Sequence, residues 1–126
     1  MAGSVLIVDD SPTIRGFARI FLAQLGVEIA EAEEGGKALD LLRNTPFSLV
    51  VVDVNMPGMD GLTFTRELRA DPRPEIAKLP VVLLSGDRSE ALREQGRAAG
   101  CSDFIGKPLK GPELQAVAKK FLGLAP

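Results

Sequence analysis

The chain has 126 residues, 45% of them hydrophobic, so it has about the length of one domain and can bury roughly two-thirds of its unfolded surface. Fifteen basic and seventeen acidic residues leave a formal charge of -2 without a long run of either sign, which argues against nucleic acid and membrane surfaces as direct partners. No apolar run reaches the ~20 residues of a membrane span, so we expect one cytoplasmic domain over residues 1–126.

Two residue types with reactive side chains are scarce. Histidine is absent, which excludes Ser-His-Asp and Cys-His catalysis, phosphohistidine chemistry and the usual zinc sites. Cysteine occurs once, as Cys101, so an intramolecular disulfide is impossible. We interpret Cys101 as a packing residue, with a reactive thiol as the less favoured alternative. Carboxylates, hydroxyls and lysines are therefore the side chains that remain available for chemistry.

Short apolar runs alternate with amphipathic stretches along the chain, which indicates βαβ units and a parallel sheet with helices on both faces. Three of the runs are rich in Val, Leu and Ile without polar alternation, as expected for strands that are buried on both faces. The predicted strands cover residues 4–9, 27–32, 48–53, 80–85 and 102–106.

Five helices are predicted between and after these strands. The first has Ser11 as its N-cap and Pro12 at its first position, and it ends at Gly26. The fourth carries Gly96 in its interior, which costs roughly 1 kcal/mol relative to alanine. This helix is either the loosest of the five or is held by tertiary packing, and packing is favoured. The other predicted segments are helices around 38–42 and 62–68, a proline-rich loop over 71–80, and a last helix from Pro112 to Phe121.

Polar residues lie at or just after the carboxyl ends of four predicted strands: Asp9 and Asp10, Asp53, Ser85, and Lys107. In a parallel α/β sheet the loops at these ends converge on one crevice, where ligands bind. Clustered carboxylates raise one another's pKa values unless a cation lies among them, and an oxygen-rich site suits Mg²⁺. We expect Asp53 to accept a phosphoryl group, with the cation and Lys107 stabilising the charge on the transferring oxygens.

Each of these features also has a purely structural explanation. Asp9 and Asp10 before a Ser-Pro pair are compatible with a turn and a helix cap, and a lone Asp53 after an apolar strand is more often a loop residue. Ser85 beside a glycine and Lys107 before a proline are compatible with turns. Only their joint placement at one sheet edge favours the chemical interpretation.

The segment 50–61, Val-Val-Val-Asp-Val-Asn-Met-Pro-Gly-Met-Asp-Gly, resembles the phosphoacceptor strand and loop of two-component response regulator receiver domains. The resemblance extends from about Ser4 to Phe121. It implies a flavodoxin-like (βα)5 fold, a doubly wound parallel sheet with strand order 2-1-3-4-5. It also implies a bacterial signalling protein, not an enzyme that turns over a substrate. A sensor histidine kinase or a histidine phosphotransfer protein of a phosphorelay is the expected donor to Asp53.

The same resemblance implies a ligand set for Mg²⁺ or Mn²⁺. Asp10, Asp53 and the backbone carbonyl of Asn55 are expected to bind the ion directly, and Asp9 through a water molecule. Lys107 is expected to pair with the phosphoryl group, and its peptide bond to the following proline is expected to be cis.

The resemblance further implies a switch. Ser85 is expected to bond a phosphoryl oxygen and to move towards Asp53, which lets the Phe104 ring turn inward. Asn55 and Asp87 occupy positions that tune the loss of phosphate. The change then alters the surface of the fourth predicted helix, fifth strand and fifth predicted helix, which binds a downstream effector protein.

Two other classes of protein share parts of this pattern. Haloacid-dehalogenase-type phosphatases also form an aspartyl phosphate, but they need a second Asp two positions after the nucleophile, where this chain has Ser11 and Asn55. A receiver-shaped module that never accepts phosphate is expected to have lost part of the acidic cluster or the lysine. The chain is either a single-domain regulator or part of a longer regulator with an output domain.

Overall fold

The computed structural model describes residues 3–125, which form five strands and six helices. In chain order the elements are β1 (Ser4–Val8), α1 (Pro12–Ala23), β2 (Glu28–Ala32), α2 (Gly35–Asn44), β3 (Leu49–Asp53), α3 (Gly61–Arg69), α4 (Pro74–Ala77), β4 (Val81–Ser85), α5 (Glu90–Ala99), β5 (Asp103–Gly106) and α6 (Gly111–Leu122). The strands form one parallel sheet in the order β2-β1-β3-β4-β5, which confirms the predicted fold class and strand order.

Most predicted boundaries agree with the structure to within one residue, but the loop predicted over 71–80 contains the one-turn helix α4. Pro74 occupies the first position of α4, where its fixed φ suits a helix, and Ile76 is buried in the core. Because of α4, the predicted fourth and fifth helices are α5 and α6. No helix within residues 3–125 combines the length and the apolar character that crossing a membrane requires.

The central strands β1, β3 and β4 are buried on both faces, as predicted from their continuous apolar sequences. Successive side chains point to opposite faces, so each strand contributes to two separate hydrophobic clusters. Leu6, Val8, Val50, Val52 and Leu83 lie on the face that α2, α3 and α5 cover. Val5, Ile7, Leu49, Val51 and Leu84 lie on the face that α1 and α6 cover.

Three helices begin with a side-chain cap, and these caps fix where the loops at the carboxyl edge of the sheet end. Ser11 Oγ accepts a hydrogen bond from the N–H of Ile14 at the start of α1, as predicted. Asp60 and Ser89 cap α3 and α5 in the same way. The loops that follow β1, β3 and β4 are therefore held at both of their ends.

Candidate functional site

The register of the sheet brings four strand ends side by side. Val8 of β1 pairs with Val52 of β3. The residue that follows each of them is an aspartate, so Asp9 and Asp53 lie side by side. Asp53 pairs with Leu84 of β4, and Ser85 pairs with Gly106 of β5. Lys107 follows Gly106 directly, and thus the residues predicted from separate strand ends lie at one edge.

Three carboxylates form the centre of this edge. Asp9, Asp10 and Asp53 each offer an oxygen within 4.8 Å of the others. Asp9 and Asp53 are buried, whereas Asp10 is exposed. Burial raises the pKa of Asp9, as does the nearby charge of Asp53, while the N–H of Ser11 and the ammonium of Lys107 act in the opposite direction. Such a cluster of oxygen donors suits a hard divalent cation.

Lys107 reaches into the cluster from the loop after β5. Its Nζ lies 3.1 Å from Asp53 Oδ1 and 3.4 Å from Asp9 Oδ2. The Lys107-Pro108 peptide bond is cis, which confirms that prediction. One ammonium thus stands between the two buried carboxylates.

The backbone of Asp53 is held by the start of α3. Gly61 donates its N–H to the carbonyl of Val54 at 2.9 Å. A Cβ at position 61 would lie 2.9 Å from Val54 Cα and still closer to the carbonyl oxygen of Asp53, so only glycine fits here. The N–H of Asn55 points towards Asp53 Oδ1 at a distance of 3.4 Å. The loop motif thus serves to set the position of Asp53.

Arg15 supports the other carboxylate-bearing loop, and the sequence-based reasoning missed it. Its guanidinium donates to the backbone carbonyl of Asp9 at 2.6 Å and to Glu31 at 3.0 Å. The Arg15 side chain is only 16% exposed. The sequence signal for this role is its position one helical turn after the Ser11 cap, since an arginine in the first turns of a helix can reach back to the loop before it.

Ser85 and Asp87 form a tight turn after β4. Ser85 Oγ accepts a hydrogen bond from the N–H of Asp87 at 3.0 Å, and the hydroxyl proton remains able to donate. The Asp87 carboxylate accepts from the N–H of Ser89 at 2.8 Å, which lowers the pKa of Asp87. Ser85 is buried at the same edge as Asp53, and Asp87 is exposed.

Phe104 is half-buried on β5, where it pairs in register with Leu83 of β4. Its ring packs against α5, and the guanidinium of Arg93 lies 5.5 Å from the ring centroid. The nearby Cys101 is also half-buried against the core, and burial raises the pKa of its thiol. A protonated thiol in this position agrees with the packing interpretation.

The strand order of the sheet and the acidic cluster at its carboxyl edge can be compared with those of known protein families. The model of the response regulator receiver domain matches residues 5–119. The chain therefore belongs to the response regulator receiver domains of two-component signalling, as the sequence predicted. Proteins of this family generally act in signalling and not in catalytic turnover.

Particular relatives cover nearly all of the chain. The transcriptional regulatory protein AruR of Pseudomonas aeruginosa is 36% identical over 127 residues, which represent 97% of this chain and 50% of AruR. The chemotaxis protein CheY4 of Vibrio cholerae has a TM-score of 0.88 at 29% identity, covering 94% of this chain and 97% of CheY4. The chain thus spans half the length of AruR and almost the whole of CheY4.

A third relative is the receiver domain of the sensor histidine kinase PA1611 from Pseudomonas aeruginosa PAO1. Its TM-score is 0.86 at 26% identity, with coverage of 96% of this chain and 98% of the other. That structure has a magnesium ion coordinated in the active site cleft. Relatives of this chain therefore include receivers of sensor kinases as well as regulators.

Proposed function

We propose that Asp53 accepts a phosphoryl group from a phosphohistidine of a sensor kinase or phosphotransfer protein, in a reaction that depends on Mg²⁺. The observation that carries this proposal is the buried Asp53 carboxylate, with Lys107 Nζ at 3.1 Å and two further carboxylates within 4.8 Å. One carboxylate would be enough to pair with the single charge of Lys107. The negative charge of the two additional carboxylates is balanced if a divalent cation binds at the site.

The donor set fits such an ion. Asp10 and Asp53 are the proposed direct ligands together with the Asn55 backbone carbonyl, and Asp9 is proposed to act through water. Their oxygens are hard donors, and exposed Asp10 leaves one side of the cluster open to solvent. When bound, Mg²⁺ supplies positive charge that stabilises the transferring phosphoryl oxygens. Mn²⁺ has similar ligand preferences and is proposed as a substitute.

The chain's own residues carry the transfer. An Asp53 carboxylate oxygen forms a bond to phosphorus as the phosphorus–nitrogen bond of the donor breaks, and the imidazole nitrogen keeps the electron pair. The Lys107 ammonium already contacts the reacting carboxylate, so it can exchange this contact for one to a phosphoryl oxygen as negative charge develops there. Ser85 can donate a hydrogen bond from its hydroxyl group to another phosphoryl oxygen.

The proposed response begins at Ser85. Its movement towards Asp53 strains the hydrogen bond from Asp87, and that turn leads directly into α5. Phe104 reports the change on the surface formed by α5, β5 and α6, where a downstream effector or an output domain binds. Asn55 and Asp87 are proposed to tune the lifetime of the phosphate. We infer that residues 1–126 form one receiver domain and that it works in the cytoplasm.

The test uses acetyl phosphate with Mg²⁺, and intact-protein mass spectrometry to count phosphoryl groups. The wild type is expected to gain one group, and Asp53→Asn none. Asp40→Asn is the matched control, because Asp40 is an exposed carboxylate on α2, and it is expected to behave as the wild type.

Beryllofluoride with Mg²⁺ gives a second measurement. Amide signals of Ser85 and Phe104 are expected to shift in NMR spectra of the wild type and to stay in place in Asp53→Asn. Equal phosphorylation or equal shifts in the two proteins would mean that Asp53 is not the acceptor.

A further inference from the structure

Gly96 occupies a buried position in the interior of α5. Glycine is unfavourable in a helix interior relative to alanine, and the backbone of Gly96 has no positive φ that would call for glycine. Local conformation therefore gives no reason for this residue. The reason must lie in what surrounds it.

The Phe104 ring fills the space next to Gly96. A Cβ at position 96 would lie 2.8 Å from Cε1 of Phe104 and closer still to Cζ, and 3.0 Å from Cδ1 of Leu83. Side chains do not approach that closely, so alanine at 96 requires the ring to move. The edge of the Phe104 ring projects into the space that a side chain at position 96 would occupy.

The ring has contacts on its other sides as well. Arg93, one turn before Gly96 on α5, holds its guanidinium 5.5 Å from the ring centroid, within the range of a cation–π contact. Leu83 pairs in register with Phe104 on the neighbouring strand. The half-buried ring thus lies against α5 and β4, and its position depends on how closely α5 approaches β5.

We propose that Gly96 is a positioning residue for Phe104: the absence of a side chain at 96 lets the ring lie against α5, and residue 96 sets the balance between this position and one turned away. In so far as Phe104 is the switch, an inference that rests on the proposed function, Gly96 also controls the switch on the α5-β5-α6 surface. A larger residue at 96 disfavours the packed state of the ring even before phosphorylation.

A thermodynamic cycle tests the contact without any phosphoryl donor. Gly16 of α1 is the matched control, because it also lies in a helix interior and a Cβ there meets nothing within 4 Å. Gly16→Ala is expected to raise the Tm by about 3 °C through better helix propensity. Gly96→Ala is expected to leave the Tm unchanged or to lower it in the wild type. In the background of Phe104→Ala, Gly96→Ala is expected to raise the Tm, by less than Gly16→Ala does because Leu83 Cδ1 still lies 3.0 Å from the added Cβ.

NMR gives the position of the ring directly. In the wild type, nuclear Overhauser effects are expected between the Phe104 ring and the Leu83 methyl groups and Gly96 Hα. In Gly96→Ala the contacts to Leu83 are expected to weaken by at least half. The inference is overturned if Gly96→Ala raises the Tm as much as Gly16→Ala does in the wild-type background and keeps these contacts.

Beryllofluoride then separates this inference from the proposed function. The expected result is a shift of the Phe104 signals in the wild type that is lost in Gly96→Ala, while the signals around Asp53 respond in both proteins. Equal Phe104 shifts in the two proteins contradict the control by Gly96. If the signals of neither protein respond, the phosphoacceptor proposal is contradicted. The thermodynamic cycle still tests the contact between Gly96 and Phe104 in that case.

Discussion

Two polar centres of this molecule differ in how their charges are balanced. At the carboxyl edge, Asp9 and Asp53 are buried with Asp10 close by, and Lys107 contacts the two buried carboxylates. At the end of α3, the half-buried guanidinium of Arg69 donates to neutral carbonyl oxygens. The first centre holds an excess of like charge, whereas in the second the Nε and Nη1 donors of Arg69 meet carbonyl acceptors.

The Arg69 junction joins parts of the chain that are distant in sequence. Nε donates to the carbonyl of Gly100, and Nη1 to those of Ala77 and Leu79, at 2.8, 2.9 and 2.6 Å respectively. These carbonyls belong to the end of α5 and the segment of α4. Buried charge is expected to stabilise the fold where carbonyl acceptors meet it and to cost stability where carboxylates crowd together. The crowded arrangement is the one suited to bind a cation.

The largest effect is expected at the Arg69 centre. Arg69→Met keeps the aliphatic stem and leaves the carbonyls of Gly100, Ala77 and Leu79 without this donor. The free energy of unfolding is expected to fall by about 3 kcal/mol. Urea unfolding measures it, and the exposed neighbour Arg66→Met serves as control with a change within about 0.5 kcal/mol. A similar small change for both variants would contradict the role of the junction.

An effect of opposite sign and smaller size is expected at the acidic edge. Because the pKa of Asp9 is raised in the folded state, mainly by burial, the folded protein binds this proton more tightly than the unfolded chain. The contribution of Asp9 to stability therefore falls as the pH rises from the ordinary carboxyl value through the raised one. Without Mg²⁺, Asp9→Asn is expected to be more stable than the wild type at pH 7 by roughly 1 kcal/mol.

Urea unfolding between pH 4 and 7 checks this expectation, and the difference between the two proteins should grow with pH. Added Mg²⁺ is expected to stabilise the wild type more than Asp9→Asn. The expectation is wrong if Asp9→Asn is the less stable protein at pH 7 in the absence of the ion.

The smallest effect is expected where charges pair near the solvent. Glu31 accepts from Arg19 at 2.6 Å and from Arg15 at 3.0 Å, and these contacts, that of Arg19 first, lower the pKa of Glu31. Here the stabilisation is present above the unfolded carboxyl pKa and is lost as the pH falls through the lowered folded value. Glu31→Gln is expected to cost only a few tenths of a kcal/mol, because solvent screens the pair.

The pH dependence of this variant should run opposite to that of Asp9→Asn, with the deficit of Glu31→Gln vanishing in acid. Glu28→Gln, an exposed position on the same strand, is the control. A deficit that persists at the lowest pH would assign the effect to packing and not to charge.

Much of the fold and of the acidic edge could be predicted from the sequence. Three apolar strands without alternation required helices on both faces, and parallel strands bring their carboxyl ends to one edge. Asp9, Asp53 and Lys107 were therefore predicted to meet, and they do. The helix α4 was missed because four residues are too few to show a period, and Pro74 read as a loop residue.

What the sequence by itself determined is the set of residues at the carboxyl edge, since that set depends on where each strand ends. The tertiary structure alone decided that Asp9 is buried and Asp10 exposed, and that Arg69 meets carbonyls up to 31 residues away. It also decided between two interpretations of Gly96, because the buried glycine is packed against the Phe104 ring. Burial and steric contact arise only when distant segments meet, so a periodic pattern cannot contain them.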